Sequence, residues 1–330
     1  MDHKKIKWKF YERRSRFRNF YFHKVVRRHI FEKYLNKDPY LIFYANQWVM
    51  GMKKTNQWIA RKIKAGTPFM VARFGNTELS VMTSVLERRL FGVTPENEER
   101  FKEWFSNLQE LSGFFPDQQY LAEEFTDLML ESCKNVDVLA MYHCFLDDFI
   151  ITEYMPKTRI TFLNHIEPWR CRTPWTAALE GKKVLVIHPF EESIKEQYSK
   201  RNLLFGNEDV LPQFELKTLK AIQTIAGERD ERFETWFDAL DYMYQEALKI
   251  DFDIAILGCG AYGLPLAAKL KGAGKQAVHM GGVTQILFGI KGRRWIDNPR
   301  AGVNFNEAWI FPKESETPKN SKVVENHCYW

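Results

Sequence analysis

Short apolar runs separated by longer amphipathic stretches make up most of this chain. "PFMVARFG" (68–75), "VDVLAMY" (136–142), "RITFL" (159–163) and "KKVLVIHP" (182–189) have strand length and no polar face. Strands covered on both sides read this way. Between and after them, apolar residues at helical spacing predict helices over 77–90, 96–111, 118–134, 190–201 and 233–249. "FELKTLKAIQ" (214–223) alternates as an edge strand does. Residues 41–66 have mixed helical spacing and end at Gly66, a natural C-cap. "FDIAILGCGAYGLPLAAKLKGAGKQAVHMGG" (252–282) reads as strand, glycine-rich turn, helix and strand. Strands alternating with helices, with no internal repeat, predict an α/β fold with a doubly wound, Rossmann-like sheet and extra N-terminal helices.

The same pattern divides the chain into an N-terminal extension (1–40), an α/β body (41–311) and a C-terminal tail (312–330). The tail reads as surface, although its last residues, "ENHCYW", are aromatic enough to dock on the body. With 45% hydrophobic and 15% aromatic residues, the chain can bury a substantial core. Its five cysteines are odd in number and lack CxxC spacing, which argues against a disulfide framework and a zinc site and suits a reducing cytoplasm. No apolar run reaches the roughly 18 residues of a membrane span, and no apolar segment of signal-peptide type follows the basic start.

Charge changes the picture at one end only. Residues 1–30 carry eleven Lys and Arg against Asp2 and Glu12, a local charge of +9. The chain totals +6, so the remaining 300 residues sum to −3. Trp8, Phe10, Tyr11, Phe17, Phe20, Tyr21 and Phe22 stand among these cations. Such a segment suits an anionic inner membrane surface, with rings at headgroup level. It also suits packing of the rings on the body, or, as the weakest of the three, contact with nucleic acid.

Two stretches carry candidate chemistry. In the first, Gly258, Gly260 and Gly263 have the GxGxxG spacing of a turn that brings backbone amides and a helix N-terminus to a phosphate. A nicotinamide site would place an acid at the end of the following strand, but that strand ends "AVHMGG". Only about 50 residues follow Gly281, too few for the rest of a dinucleotide domain. A pyrophosphate contact late in the sheet, or simple close packing of helix on strand, fits better.

The second stretch, "VARFGNTELS" (71–80), delivers Arg73, Gly75, Asn76 and Glu78 from a strand end. Arg73 offers a planar fork for a phosphate. Asn76 and Glu78 could share a hard cation such as Mn²⁺ or Mg²⁺, with diphosphate and water completing its shell. They could equally begin the next helix, where polar and acidic residues are favoured.

"RFGNTE" (73–78), taken with "LGCGAYGLPLAAKLKGAGKQAVHMGG" (257–282), resembles the GT-D class of bacterial glycosyltransferases. In that class an Arg-Phe-Gly-Asp-Gly-Glu segment follows the first core strand and supplies the metal-binding acids. A glycine-rich strand–helix–strand unit lies near the C-terminus. Arg73, Phe74, Gly75 and Glu78 match the motif, while Asn76 stands for its aspartate and Thr77 for its glycine. An amide oxygen ligates without contributing charge, so weaker metal binding is expected. The resemblance implies a GT-D type sheet and a nucleoside-diphosphate sugar donor. It also implies a lipid-linked or protein-linked cell-surface glycan acceptor, and one donor site walled by 73–78 on one side and the glycine-rich turn on the other.

Further candidates surround these motifs. His188 ends a strand, with Gln197 and Arg201 in the following helix. His279, Gln285, Lys291, Arg293 and Arg294 bring polar and cationic groups to the glycine-rich unit. Asp147, Asp148 and Glu167 follow strands, and Asp148 and His188 are candidates to take an acceptor proton. The expectation is a cytoplasmic, hexosyltransferase-like enzyme held at the inner membrane face by residues 1–30. A nucleotide-binding oxidoreductase and a non-catalytic membrane- or nucleic-acid-binding scaffold are the alternatives.

Overall fold

The computed structural model describes residues 3–21, 41–298, 301–321 and 328–330. Its strands are β1 (Phe43–Tyr44), β2 (Gln47–Trp48), β3 (Phe69–Ala72), β4 (Val138–Met141), β5 (Arg159–Phe162), β6 (Lys183–His188), β7 (Glu215–Lys220), β8 (Ile254–Leu257) and β9 (Gln276–His279). Its α-helices are α1 (His3–Arg18), α2 (Met52–Ala65), α3 (Asn76–Phe91), α4 (Pro95–Ser112), α5 (Leu121–Cys133), α6 (Asp147–Tyr154), α7 (Glu191–Ser199), α8 (Trp236–Leu248), α9 (Gly263–Gly272), α10 (Thr284–Leu287) and α11 (Arg293–Ile296).

Seven strands form one parallel sheet in the order β5-β4-β3-β9-β8-β6-β7. The chain starts near the middle at β3 and winds out through β4 to β5. It then crosses to β6 and the edge strand β7, and returns through β8 to β9. There Phe69 of β3 lies opposite Gln276 of β9, so segments some 200 residues apart become neighbours. Alternate strand residues feed two apolar layers. Met70, Ala72, Leu139, Leu185 and Leu257 face the layer built from α3, α5, α8 and α9. Phe69, Val71, Val138, Val186 and Ile256 face the layer built from α2, α7 and α10. A sheet buried on both faces explains why its strands read as unbroken apolar runs.

Helix ends follow local chemistry. Thr94 with Asn97, and Thr235 with Asp238, form capping boxes at the starts of α4 and α8. Gly66 caps α2 in the left-handed conformation, as the sequence predicts. The helix expected from residue 41, however, starts only at Met52. Before it, β1 and β2 form a small hairpin whose turn residues Ala45 and Asn46 both have positive φ. The edge strand expected over 214–223 is β7.

Half of α1 is built into the body. Trp8, Tyr11, Ser15 and Arg18 recur every three or four residues and are buried. Trp8 meets Phe149 of α6 edge-on with ring centres 4.9 Å apart. The opposite face leaves Phe10, Phe17, Phe20 and Tyr21 exposed. Phe22 and the rest of the extension to residue 40 lie outside the described residues. Part of the segment read as a surface tail is also built in. The buried Glu316 carboxylate accepts the Glu192 N–H (2.7 Å) and the Ser193 hydroxyl at the start of α7, and Cys328 and Trp330 are buried. Among the described residues no helix is long and apolar enough to cross a membrane.

Candidate functional site

A cavity opens at the carboxyl ends of β3, β9, β8 and β6, four neighbours at the centre of the sheet. Loops leave this edge in opposite directions, the arrangement that places ligand crevices in doubly wound folds. Both sequence motifs meet there. Arg73, Asn76 and Glu78 form one wall, and Gly258, Gly260 and Gly281 belong to the facing one.

Arg73 leaves the end of β3, and Phe74 anchors the segment by burying its ring. The Arg73 guanidinium stacks 5.3 Å from the Tyr142 ring centre, and its stem passes close to Gly281. A Cβ at Gly281 would lie 3.2 Å from the Arg73 Cδ, a tight approach, and φ there is +68°, a conformation that favours glycine. Burial alone would lower the Arg73 pKa, but the net shift is upward, through the nearby Tyr142 and Glu78. Its Nε has no hydrogen-bond partner, and no carboxylate pairs with the guanidinium among the described residues.

Gly75 caps α3, and Asn76, Thr77 and Glu78 form its first turn. The nearly buried Glu78 carboxylate folds back over Gly75, where any Cβ would overlap it. Glu78 is the one acidic side chain lining the cavity among the described residues, and Asn76 is exposed beside it.

The three glycines of the turn divide their work. Gly258 donates its N–H to Ile187 O (2.9 Å), and a Cβ there would come within 2.5 Å of the His188 ring. At Gly263 a Cβ would overlap the His279 ring. Both are close-packing positions. Gly260 has φ +57° and open space around it, so it is the member of the motif where backbone can meet a ligand. The N–H groups that start the following helical run have no intrahelical partner.

His188 lines the cavity in a fixed tautomer. Phe190 N–H donates to its Nδ1 (3.0 Å), so the proton sits on Nε2. Burial pushes its pKa down to about 3. The ring is therefore a neutral donor, which corrects its reading as a proton acceptor. His279 does not line the cavity. It is buried beneath Gly263 with Nδ1 3.3 Å from Leu257 O, and burial, aided by Arg73, holds its pKa near 3. Gln285 does reach the cavity, but its Nε2 donates to Lys291 O (2.9 Å) and Tyr329 O (3.1 Å). It ties the C-terminal residues to the β9 loop. Arg294 donates to the Tyr329 hydroxyl (2.9 Å) at the same rim.

Asp148 lies elsewhere. Its carboxylate is fully buried and accepts from Ser15 Oγ (3.1 Å) and Arg18 (3.3 Å), with Arg14 at 3.7 Å. Asp147 joins Arg18 (3.4 Å) and the Tyr44 hydroxyl. The pair docks α1, and Asp148 does not line the cavity. Glu167 pairs with Arg170, Gln197 donates to Gly289 O and Ala308 O (both 2.9 Å), and Arg201 reaches Gln213. None of these lines the cavity.

Tyr142, Thr224 and Tyr262 are among the cavity residues that the sequence does not single out. Tyr142 is the first residue past β4, and the strand-end rule that selects Arg73 selects it too. Tyr262 stacks on Trp236 at 4.6 Å, a contact no local pattern announces.

No protein-family model and no curated protein matches the chain. Two solved structures align with it over 80% of this chain and 95% of theirs, each at 13% identity and a TM-score of 0.39. One is described as "The highly conserved domain of unknown function 1792 has a distinct glycosyltransferase fold", the other as a selenomethionine-substituted structure of domain of unknown function 1792. At that distance the likeness assigns this chain neither family nor activity.

Proposed function

We propose that the cavity binds a nucleoside-diphosphate sugar and that the protein is a glycosyltransferase acting on a glycan hydroxyl. The observation that carries this reading is Arg73, a guanidinium without a carboxylate partner, set across one cavity from the open turn at Gly260. A cation set across a cavity from an open glycine turn at a helix start suits a diphosphate. In transfer, the acceptor hydroxyl oxygen bonds to the anomeric carbon as the bond from that carbon to the diphosphate breaks; the electron pair leaves with the phosphate, and the hydroxyl proton passes to solvent water or to the departing phosphate. Arg73, the turn amides and the His188 Nε2–H stabilise that developing charge.

The residues fit a divalent ion that enters with the diphosphate. Glu78 presents a carboxylate with no hydrogen-bond partner among the described residues, and Asn76 adds an amide oxygen. No cluster of three His, Cys, Asp or Glu exists among the described residues, so phosphate and water would complete the shell. Bound there, a Mn²⁺ or Mg²⁺ ion would supply further neutralising charge to the leaving group. The exposed Phe10, Phe17, Phe20 and Tyr21 beside the α1 cations would hold the enzyme at an anionic membrane carrying the acceptor.

A thermal-shift panel of UDP, GDP, CDP, UDP-sugars and NAD(P), each with and without Mn²⁺, tests the reading. A ligand at a hundred times its Kd stabilises the fold by about 2.7 kcal/mol. One nucleoside diphosphate should raise Tm, more so with Mn²⁺. A response to NAD(P) alone would move the protein to the oxidoreductases, and a flat panel would leave a scaffold. Glu78→Ala should remove the Mn²⁺-dependent part of the shift and abolish transfer while leaving Tm of the free protein nearly unchanged. Full transfer activity in that variant would sink the assignment of Glu78.

A further inference from the structure

A second cavity, of about 310 Å³, adjoins the first and shares Asn76 and Tyr142 with it. One water needs only roughly 10–15 Å³, so this space is of ligand size. Its floor is one face of α3: Asn76, Ser80, Thr83, Ser84 and Glu87 recur at three- and four-residue spacing. That polar stripe is turned toward α1 and α4 rather than toward open solvent, and Thr83 and Ser84 are only 4% and 5% exposed. A helix normally turns its apolar face inward.

The walls share this character. Trp8 and Asn19 come from the N-terminal segment, Trp104 and Arg100 from α4. Among the described residues, the Trp8 indole Nε1 and the Asn19 Oδ1 are buried without hydrogen-bond partners. Buried polar groups are normally met by a hydrogen-bond partner, so these invite one from a ligand. His143 and Leu146, on the fourth side, both have positive φ, a strained backbone of the kind that gathers at binding sites. Arg100 is balanced by Glu87 at 2.7 Å, so the cavity carries little net charge.

We propose that this second cavity is a saccharide subsite. A neutral, hydroxyl-rich ligand with apolar ring faces matches a chamber of serine and asparagine side chains between two indoles. The shared wall at Asn76 and Tyr142 sets such a sugar directly beside the diphosphate cavity, which makes it the acceptor position. That last step rests on the transferase reading; the sugar site itself does not. It also gives α1 a role beyond anchorage, because Trp8 is both its docking residue and a cavity wall.

Isothermal titration calorimetry with maltose, lactose and N,N′-diacetylchitobiose as probes tests this. At least one disaccharide should bind the wild-type protein saturably. Trp8→Phe keeps an aromatic side chain but removes the N–H and the second ring, and should weaken that binding about five- to tenfold. Ser84→Phe fills the chamber and should abolish it. Both variants should keep the nucleoside-diphosphate response of the wild type. Trp8→Phe covers the case in which the bulkier variant fails to fold. Three disaccharides without binding, or variants that bind like the wild type, would overturn the subsite. Disaccharide binding without any nucleotide response would leave the subsite standing and remove the transferase reading.

Discussion

Two arginines, Arg18 and Arg73, are each held against a tyrosine ring, at 5.0 and 5.3 Å, and each has its pKa raised. Their surroundings differ. Arg18 meets Asp147, Asp148, Tyr44 and the Cys144 carbonyl at once, and the group joins α1 to α6 and the β1–β2 hairpin. Arg73 meets aromatic and glycine surface, with Glu78 nearby but no carboxylate in ion-pair contact among the described residues. An arginine whose partners come from the chain holds the fold. One whose partner is missing is positioned for an anion from outside. The sequence shows both as basic residues near aromatic ones; only the count of acids around each separates anchor from site.

The largest effect expected from this contrast is on the anchor. Arg18→Met leaves the buried Asp147 carboxylate without a cation, and Asp148 with Arg14 alone (3.7 Å), and should cost about 3–5 kcal/mol by chemical denaturation. The triple change Arg18→Met, Asp147→Asn, Asp148→Asn removes the charges together and should recover most of that loss. A cost under 1 kcal/mol for the single change would mean that the ion cluster does not dock α1. Arg73→Met should behave in the opposite way. Folding stability should stay level or rise, while nucleoside-diphosphate binding weakens by about 1.5–3 kcal/mol, roughly ten- to hundredfold.

Acid separates the two regions next. Burial pushes Asp147 up to about 6, against the pull of Arg18, so the folded anchor binds a proton that the unfolded chain releases down to its ordinary range. That term adds stability as pH falls from about 6 toward 4. His188 and His279 stay neutral down to about 3, whereas unfolded histidines protonate near 6.5, so their terms remove stability over the same range. Each group contributes up to about 1.4 kcal/mol per pH unit. His279→Gln should therefore flatten the loss of stability between pH 6 and pH 4, and Asp147→Asn should steepen it. Equal slopes in both variants would show that neither group titrates as its burial implies.

Much of this was legible because it is local or periodic. The apolar runs mark six of the seven sheet strands, and alternation marks the edge strand β7. RFGNTE and the glycine-rich turn were joined across some 200 residues, and register puts β3 beside β9. What the sequence hid depends on tertiary cover. Asp148 stands at the start of a helix after a strand, the same local setting as a catalytic acid, and only the docking of α1 removes it from solvent. His188 looks like a base until the Phe190 N–H is seen to occupy Nδ1. The β1–β2 hairpin was missed because its turn is Ala45–Asn46, without the glycine that announces such turns. The polar stripe on α3 was readable at its spacing, but nothing local says that it faces inward.

Asn76 gives the smallest and sharpest test of how the site differs from the anchor. It is exposed at the first position of α3, one turn edge away from the Glu78 carboxylate. Asn76→Asp adds a negative charge at a helix N-terminus, which stabilises by about 0.3–1 kcal/mol on that ground alone. If the position is also a metal ligand, the same change converts a neutral oxygen donor into a charged one. The Mn²⁺-dependent rise in Tm, measured with a nucleoside diphosphate present, should then grow, and adding Glu78→Gln should cancel the gain. A metal-free rise in Tm with no change in the Mn²⁺ response would make Asn76 a helix-start residue and nothing more. Charge neutralisation in the cavity would then fall to Arg73, with Arg294 at the rim.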